Sequence, residues 1–361
     1  MVWRVFLLTA FIRTFSLFFL LTININPFDN SAQIKHHQHQ QLNRWDTLHF
    51  INPSNSEQNW AFAPGITTLL WLTNNSIIIT SIISTIASIT STVILFLYST
   101  LVSLLHAFSP SPSTQVVPYT EPFYALFSFA AIYLQTQHVK QSYMRKLSSA
   151  MLMALATSFR PIGIIQALQW LPDWCHQLEK LVLKSPSKRN ITLSAFLVHS
   201  FQTFILACRN NGFLKYWTWN QAPLFLLSLP VYMASFGGIW TYYHSRFTLD
   251  DTPSSQSREV GGKSRPFLDR RLAIHVHIQL VITVILLFFS HVQIILRQAA
   301  TVPSLWWGLA DGIQRHWHHN NNTTSPHPSY SRVGYWAYWF PWIVLWAPLS
   351  LLLWAGFYPP A

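Results

Sequence analysis

From Gln58 to Thr120 the chain runs for 63 residues without an Asp, Glu, Lys or Arg. A soluble surface cannot be built from such a stretch, because water-facing positions are dominated by charged and polar residues. A helix rises about 1.5 Å per residue, so about 20 apolar residues cross the hydrocarbon of a bilayer. Composition extends the point to the whole chain. Only 9% of the 361 residues are charged and 50% are apolar, against about 25% charged in an ordinary soluble domain. A soluble enzyme is excluded. So is a disordered chain, which needs high charge and low hydrophobicity. The fold class is predicted to be an all-α multi-pass membrane protein, with 1–361 forming a single membrane-embedded domain.

Apolar stretches recur at 14–28 (extended backwards through Val5), 66–109, 122–139, 147–159, 191–208, 222–245, 272–296 and 333–361. They predict about eight to ten transmembrane helices, with 66–109 able to hold two crossings. The first run continues past Leu20 without a small-x-small site, so it reads as an uncleaved span. The basic residues lie mainly between the runs: 246–271 carries six bases and four acids. Lys and Arg mark cytoplasmic loops. With eight spans, 245–271 is cytoplasmic, and 26–65 and 297–333 are luminal loops. The sequons at Asn321 and Asn322 are then luminal as well.

The net charge of +12 follows from this topological use of Lys and Arg and requires no nucleic-acid surface. No nucleotide-cradling loop is present. Two cysteines, Cys175 and Cys208, exclude a disulfide framework. The group His36, His37 and His39 has no carboxylate or thiol at ligand spacing, so no metal and no bound cofactor is predicted.

With eleven acids in the chain, a catalytic carboxylate can be sought by elimination. Six of them lie in basic loops as counter-charges, which leaves Asp29, Asp46, Glu57, Glu121 and Asp311 beside apolar runs. Asp46 has the most suggestive setting, Asn43-Arg44-Trp45-Asp46-Thr47-Leu48-His49-Phe50. Desolvation among rings strengthens a carboxylate as a base, and an adjacent Arg44 would hold it ionised. A plain ion pair or a helix cap explains the same octapeptide. Trp60 and Phe62 suit interfacial anchors or stacking on a sugar. Glu121 suits orientation of a polar substrate, or a first-turn acid followed by Pro. Arg160, inside an apolar stretch, suits a phosphate ligand or a snorkelling side chain.

Six motifs occur in order: Arg44-Trp45-Asp46; Trp60-Ala61-Phe62-Ala63-Pro64-Gly65; Phe108-Ser109-Pro110 with Tyr119-Thr120-Glu121; Thr157-Ser158-Phe159-Arg160; Asn211-Gly212-Phe213-Leu214-Lys215-Tyr216-Trp217; and Pro303-Ser304-Leu305-Trp306-Trp307. Together they resemble the GPI mannosyltransferase 2 family in a fungal-like version, from about Arg44 to Ala361. The resemblance implies a GT-C-type glycosyltransferase of the endoplasmic reticulum membrane. It implies transfer of the second, α-1,6-linked mannose from dolichol-phosphate-mannose to a mannosyl-glucosaminyl-phosphatidylinositol acceptor. A small accessory membrane subunit is implied as a partner. Asp46 becomes the expected base, and Arg44, Trp45, Trp60, Phe62, Glu121 and Arg160 the expected substrate contacts. Arg160 or Arg297 would meet leaving-group charge. Where relatives carry an Asn after the arginine, this chain has Arg160-Pro161-Ile162-Gly163. The alternatives are another dolichol-dependent mannosyltransferase, acting on N-glycan precursors or protein hydroxyls, and a transporter.

Overall fold

The computed structural model describes residues 1–23, 25, 40–44, 46–51, 64–136, 143–160, 162–163, 165–166, 214, 216–250, 266–291, 293–322, 334–356 and 358. Among them every regular element is helical. Four helices are long and apolar enough to cross a membrane: 2–22, 77–96, 219–245 and 335–355. The predicted spans at 122–139, 147–159 and 272–296 appear as shorter helices, whereas 191–208 lies outside the described residues.

The helices turn their polar residues inward. In α1 (Val2–Thr22) the buried positions are Val5, Thr9, Arg13, Ser16 and Leu20, spaced as one helical stripe. The flanking Leu7, Phe11, Phe15 and Phe18 are exposed. The α2 helix (Asp46–Ile51) lies in the first loop and α3 (Pro64–Leu72) follows it. Asn74 and Asn75, at φ 52° and 55°, make the left-handed turn into α4 (Ile77–Phe96). The Ser76 hydroxyl accepts from the backbone N–H of Ile79 and caps that helix. Thr80, Ser81, Ser84, Ser88, Ser91 and Thr92 of α4 are buried, while Ile78, Ile79, Ile82 and Ile86 are exposed. Lipid tails give apolar faces no reason to meet, so interfaces form where small and hydroxyl side chains allow close approach and hydrogen bonding.

Two stretches cross the molecule without forming one continuous helix. The first is α5 (Thr100–Ala107) with the segment 108–120, irregular but for a 3₁₀ turn at Ser113–Gln115 and buried from Ser109 onward. It starts beside Met1 and ends at Tyr119, packed against Trp354. Irregular backbone at this depth is tolerated because it is buried in protein. Next come α6 (Glu121–Thr136), α7 (Tyr143–Phe159), α8 (Ala222–Asp250) and α9 (Ala273–Phe289). The second broken stretch follows α9 through α10 (Ile294–Gln298), a short 3₁₀ turn at Ala299–Thr301, and α11 (Pro303–Asn322). It runs back along α9, since the Ser304 hydroxyl donates to the carbonyl of His275 in the first turn of that helix. Finally α12 (Trp339–Ala355) carries the chain from Trp306, which meets Trp339, to Tyr119, which meets Trp354.

This path corrects the expectation that 297–333 is one luminal loop. Helix α11 is a 20-residue element of the core, with Leu305, Trp306 and Leu309 buried. It crosses α8 where a Cβ added to Gly308 would lie 3.0 Å from the Cα of Gly238. Farther on, Arg315 reaches the Thr241 hydroxyl, near the end of α8 that leads to the basic loop. Arg297 and Arg315 therefore serve opposite ends of the bundle. The segment escaped detection as a core helix because its aromatic and small residues alternate with Asp, Arg and His.

Beneath the mid-bundle, Arg13 of α1 is fully buried. Its guanidinium donates to the carbonyl of His106 at 3.3 Å and to the Ser109 hydroxyl at 3.2 Å.

Candidate active site

Tyr119 is the hub of the site. Its ring is buried between Phe50 of α2 and Trp354 of α12, both edge-on, at 5.9 and 5.4 Å. The Trp354 indole N–H donates to the carbonyl of Gln41 at 3.0 Å, which fastens the first loop to the last helix. A second tie is made by Arg44, buried, whose guanidinium donates to the carbonyl of Ala355. That carbonyl belongs to the last turn of α12, where no intrahelical donor is available.

These ties place Asp46, the first residue of α2, over the Tyr119 hydroxyl. The backbone N–H of Asp46 donates to that hydroxyl at 3.3 Å. Arg297 of α10 arrives from 251 residues away. Its Nη1 donates to Asp46 Oδ2 at 2.9 Å and to the Tyr119 hydroxyl at 2.9 Å. The guanidinium also lies over the Tyr119 ring, 5.5 Å from its centroid. The side chains of Asp46 and Arg297 are 35% and 19% exposed. The carboxylate is thus the more open of the two.

The electrostatics differ from the expectation drawn from the octapeptide. Burial acts to raise the Asp46 pKa, but the charge and hydrogen bond of Arg297 outweigh it. With help from the Tyr119 hydrogen bond and the charge of Arg160, they hold the carboxyl below the usual aspartate value. Asp46 is therefore an ionised carboxylate whose basicity is restrained by its partner. The partner is Arg297; the neighbour in sequence, Arg44, is engaged at Ala355.

Glu121 and Arg160 form a second ion pair next to the first. Glu121, in the first turn of α6, is buried and also accepts from the Thr120 hydroxyl at 3.1 Å. Arg160 follows the end of α7 and is 17% exposed. Glu121 is separated from Tyr119 by one residue, so both acids and both arginines gather around the segment 119–121. Of the expected contacts, Asp46, Glu121 and Arg160 come together here, and Arg44 supports the loop from behind. Trp45, Trp60 and Phe62 lie outside the described residues, as do His36, His37, His39, Cys175 and Cys208. Tyr119 was not among the expected site residues, although it stands two positions before Glu121 in the quoted motif. Among the described residues no group of three His, Cys, Asp or Glu is placed to hold a metal ion.

Chemically, the arrangement offers an open carboxylate beside a guanidinium. Nη1 uses its two hydrogens on Asp46 and Tyr119, and a guanidinium has three further N–H donors in the same plane. Such a fork matches a phosphate.

The model of the mannosyltransferase (PIG-V) family matches residues 208–361. The chain is 24% identical to GPI mannosyltransferase 2 of Cryptococcus neoformans over 92% of each chain. It is 24% identical to that of Aspergillus fumigatus over 88% of this chain and 81% of the relative. Against GPI mannosyltransferase 2 of Schizosaccharomyces pombe it is 28% identical over 74% and 64%. No solved structure matches the chain. Sequence, helical membrane architecture and end-to-end similarity agree: the chain resembles the mannosyltransferase (PIG-V) family, whose model matches its C-terminal part.

Proposed function

We propose that this chain transfers mannose from dolichol-phosphate-mannose to the first mannose of a glycosylphosphatidylinositol precursor, forming the second, α-1,6-linked mannose. Asp46 is the general base, and Arg297 meets the phosphate of the departing dolichyl phosphate. The observation that carries this reading is the Asp46–Arg297–Tyr119 constellation, in which a base and an anion ligand from distant parts of the chain share one small site.

The reaction is a single displacement. The acceptor hydroxyl attacks the anomeric carbon as Asp46 takes its proton, and the bond to the phosphate oxygen breaks. Attack opposite the β-linked phosphate leaves an α linkage. Negative charge grows on the leaving phosphate, and a preorganised arginine stabilises it best in the transition state. A phosphate competes with Asp46 for Arg297. As the guanidinium turns toward the donor, the carboxylate loses the interaction that lowers its basicity. Donor binding thereby readies the base. Glu121 and Arg160 form the adjoining wall, with Arg160 adding positive potential at Asp46.

The membrane is that of the endoplasmic reticulum, and the Asp46 end of the bundle faces its lumen. A small accessory membrane subunit accompanies the chain. The test is complementation of a fungal strain lacking its second GPI mannosyltransferase, read by analysis of GPI lipids. The chain is expected to clear the one-mannose precursor, and Asp46→Asn to accumulate as protein without clearing it. An unaltered one-mannose pool with correction of an N-glycan or protein O-mannose defect would replace this acceptor with another.

A further inference from the structure

We infer that His106 is a positioning residue for Arg297: a buried imidazole that clamps the turn carrying the arginine and thereby sets its reach toward Asp46 and the donor phosphate. The inference rests on the reading of Arg297 as the phosphate ligand.

His106 stands in the last turn of α5, inside the first broken stretch, and is wholly buried. Its two ring nitrogens tie together two other elements. Nδ1 lies 2.8 Å from the Thr92 hydroxyl of α4, and Nε2 lies 2.9 Å from the carbonyl of Ala300. Ala300 stands three residues after Arg297, in the 3₁₀ turn that continues α10. The ring faces are closed edge-on by Phe129 and Trp306, both at 5.6 Å.

The hydrogen bonds select one tautomer. A carbonyl only accepts, so Nε2 carries the proton and donates to Ala300. A neutral imidazole has a single N–H, and Nε2 holds it against the carbonyl. Nδ1 therefore accepts, and Thr92 turns its hydroxyl proton to the ring and away from the Ser88 carbonyl, 3.0 Å distant. The backbone of His106 is fixed in turn, because its carbonyl accepts from Arg13. The tether runs from α1 through His106 to the turn behind Arg297.

The turn needs such a tether. Residues 294–301 form a short helix and a 3₁₀ turn within a broken stretch, and no long helix sets their position. The Gln298 amide is buried with no hydrogen-bond partner on either atom, so it does not anchor the turn. Misplacement of a ligand by about 1 Å can cost about 100-fold in rate.

The experiment is a double-mutant cycle in microsomes, with mannosyl transfer from dolichol-phosphate-mannose measured across donor concentrations and normalised to protein level. His106→Phe keeps the ring volume and removes both hydrogen bonds. It is expected to lower kcat about 10-fold or more. His106→Gln, which retains a donor toward Ala300, is expected to recover part of that loss. In an Arg297→Ala background, His106→Phe is expected to have little further effect, because residues acting as one unit are not additive. Thr92→Val, which removes only the Nδ1 partner, carries the same cycle if His106→Phe does not accumulate. Equal fold losses from the clamp variant in both backgrounds overturn the inference. Full activity in Arg297→Ala alone overturns the underlying reading of the site instead.

Discussion

At the scale of single residues, the proposed reaction makes the site a contest for one guanidinium. Arg297 holds Asp46 ionised and restrained, so its removal has two separable effects. Arg297→Gln is expected to lower turnover about 10²–10³-fold, the usual cost of losing a preorganised charge donor. It also releases the Asp46 carboxyl from the cause of its low pKa. Activity that depends on an ionised base falls as pH drops through that pKa, so the acid limb of the kcat/KM profile should move to higher pH in the variant. An acid limb that stays in place would remove Asp46 from the role of base. Tyr119→Phe leaves the Asp46 backbone N–H without its acceptor and is expected to cost about 1–3 kcal/mol of stability, visible as earlier thermal inactivation of the solubilised protein. Asp46, Glu121 and Arg160 were legible in sequence because charged residues are so scarce that each one beside an apolar run needs an explanation. Tyr119 was not, since one tyrosine among 13 carries no such signal. The pairing of Asp46 with Arg44 failed for a related reason: adjacency along a chain says little about which side chains meet.

At the scale of elements, α11 separates what periodicity reveals from what it hides. The long uniform runs at α1, α4, α8 and α12 were readable as spans, because each supplies enough apolar residues by itself. The broken stretches were not, because each divides a crossing between a short helix and irregular backbone. The reassignment of α11 has a direct consequence for sidedness. With the Asp46 end luminal, Asn321 and Asn322, at the end of α11, stand on the side of the basic loop and should carry no glycan. Endoglycosidase treatment should leave gel mobility unchanged, and glycosylation at either sequon would invert the orientation argued above. The crossing of α11 over α8 gives a packing test. Gly308→Leu forces a branched side chain against Gly238 and should destabilise by about 1–3 kcal/mol or more, measured as loss of thermal stability in detergent.

For the whole molecule, the groups of the proposed site come from three distant parts of one chain, and the closure between its first loop and last helix holds them in register. Trp354 makes that closure with its ring against Tyr119 and its indole N–H on Gln41. Trp354→Ala should cost about 3–5 kcal/mol and reduce transfer while Asp46 remains intact; proteolysis of the first loop should accelerate in parallel. A variant with normal proteolysis and normal transfer would show that the loop is held by other means.

Arg13 adds a requirement on how this molecule is made. A lone arginine at the centre of a helix costs about 2.5–3.5 kcal/mol to place in a bilayer. The groups that receive it here, at His106 and Ser109, are synthesised more than 90 residues later. The first helix is thus a poor resident of lipid on its own and a stable one after α5 joins it. Biogenesis must shelter it for that interval, and a ribosome stalled before residue 106 should leave it extractable by alkali.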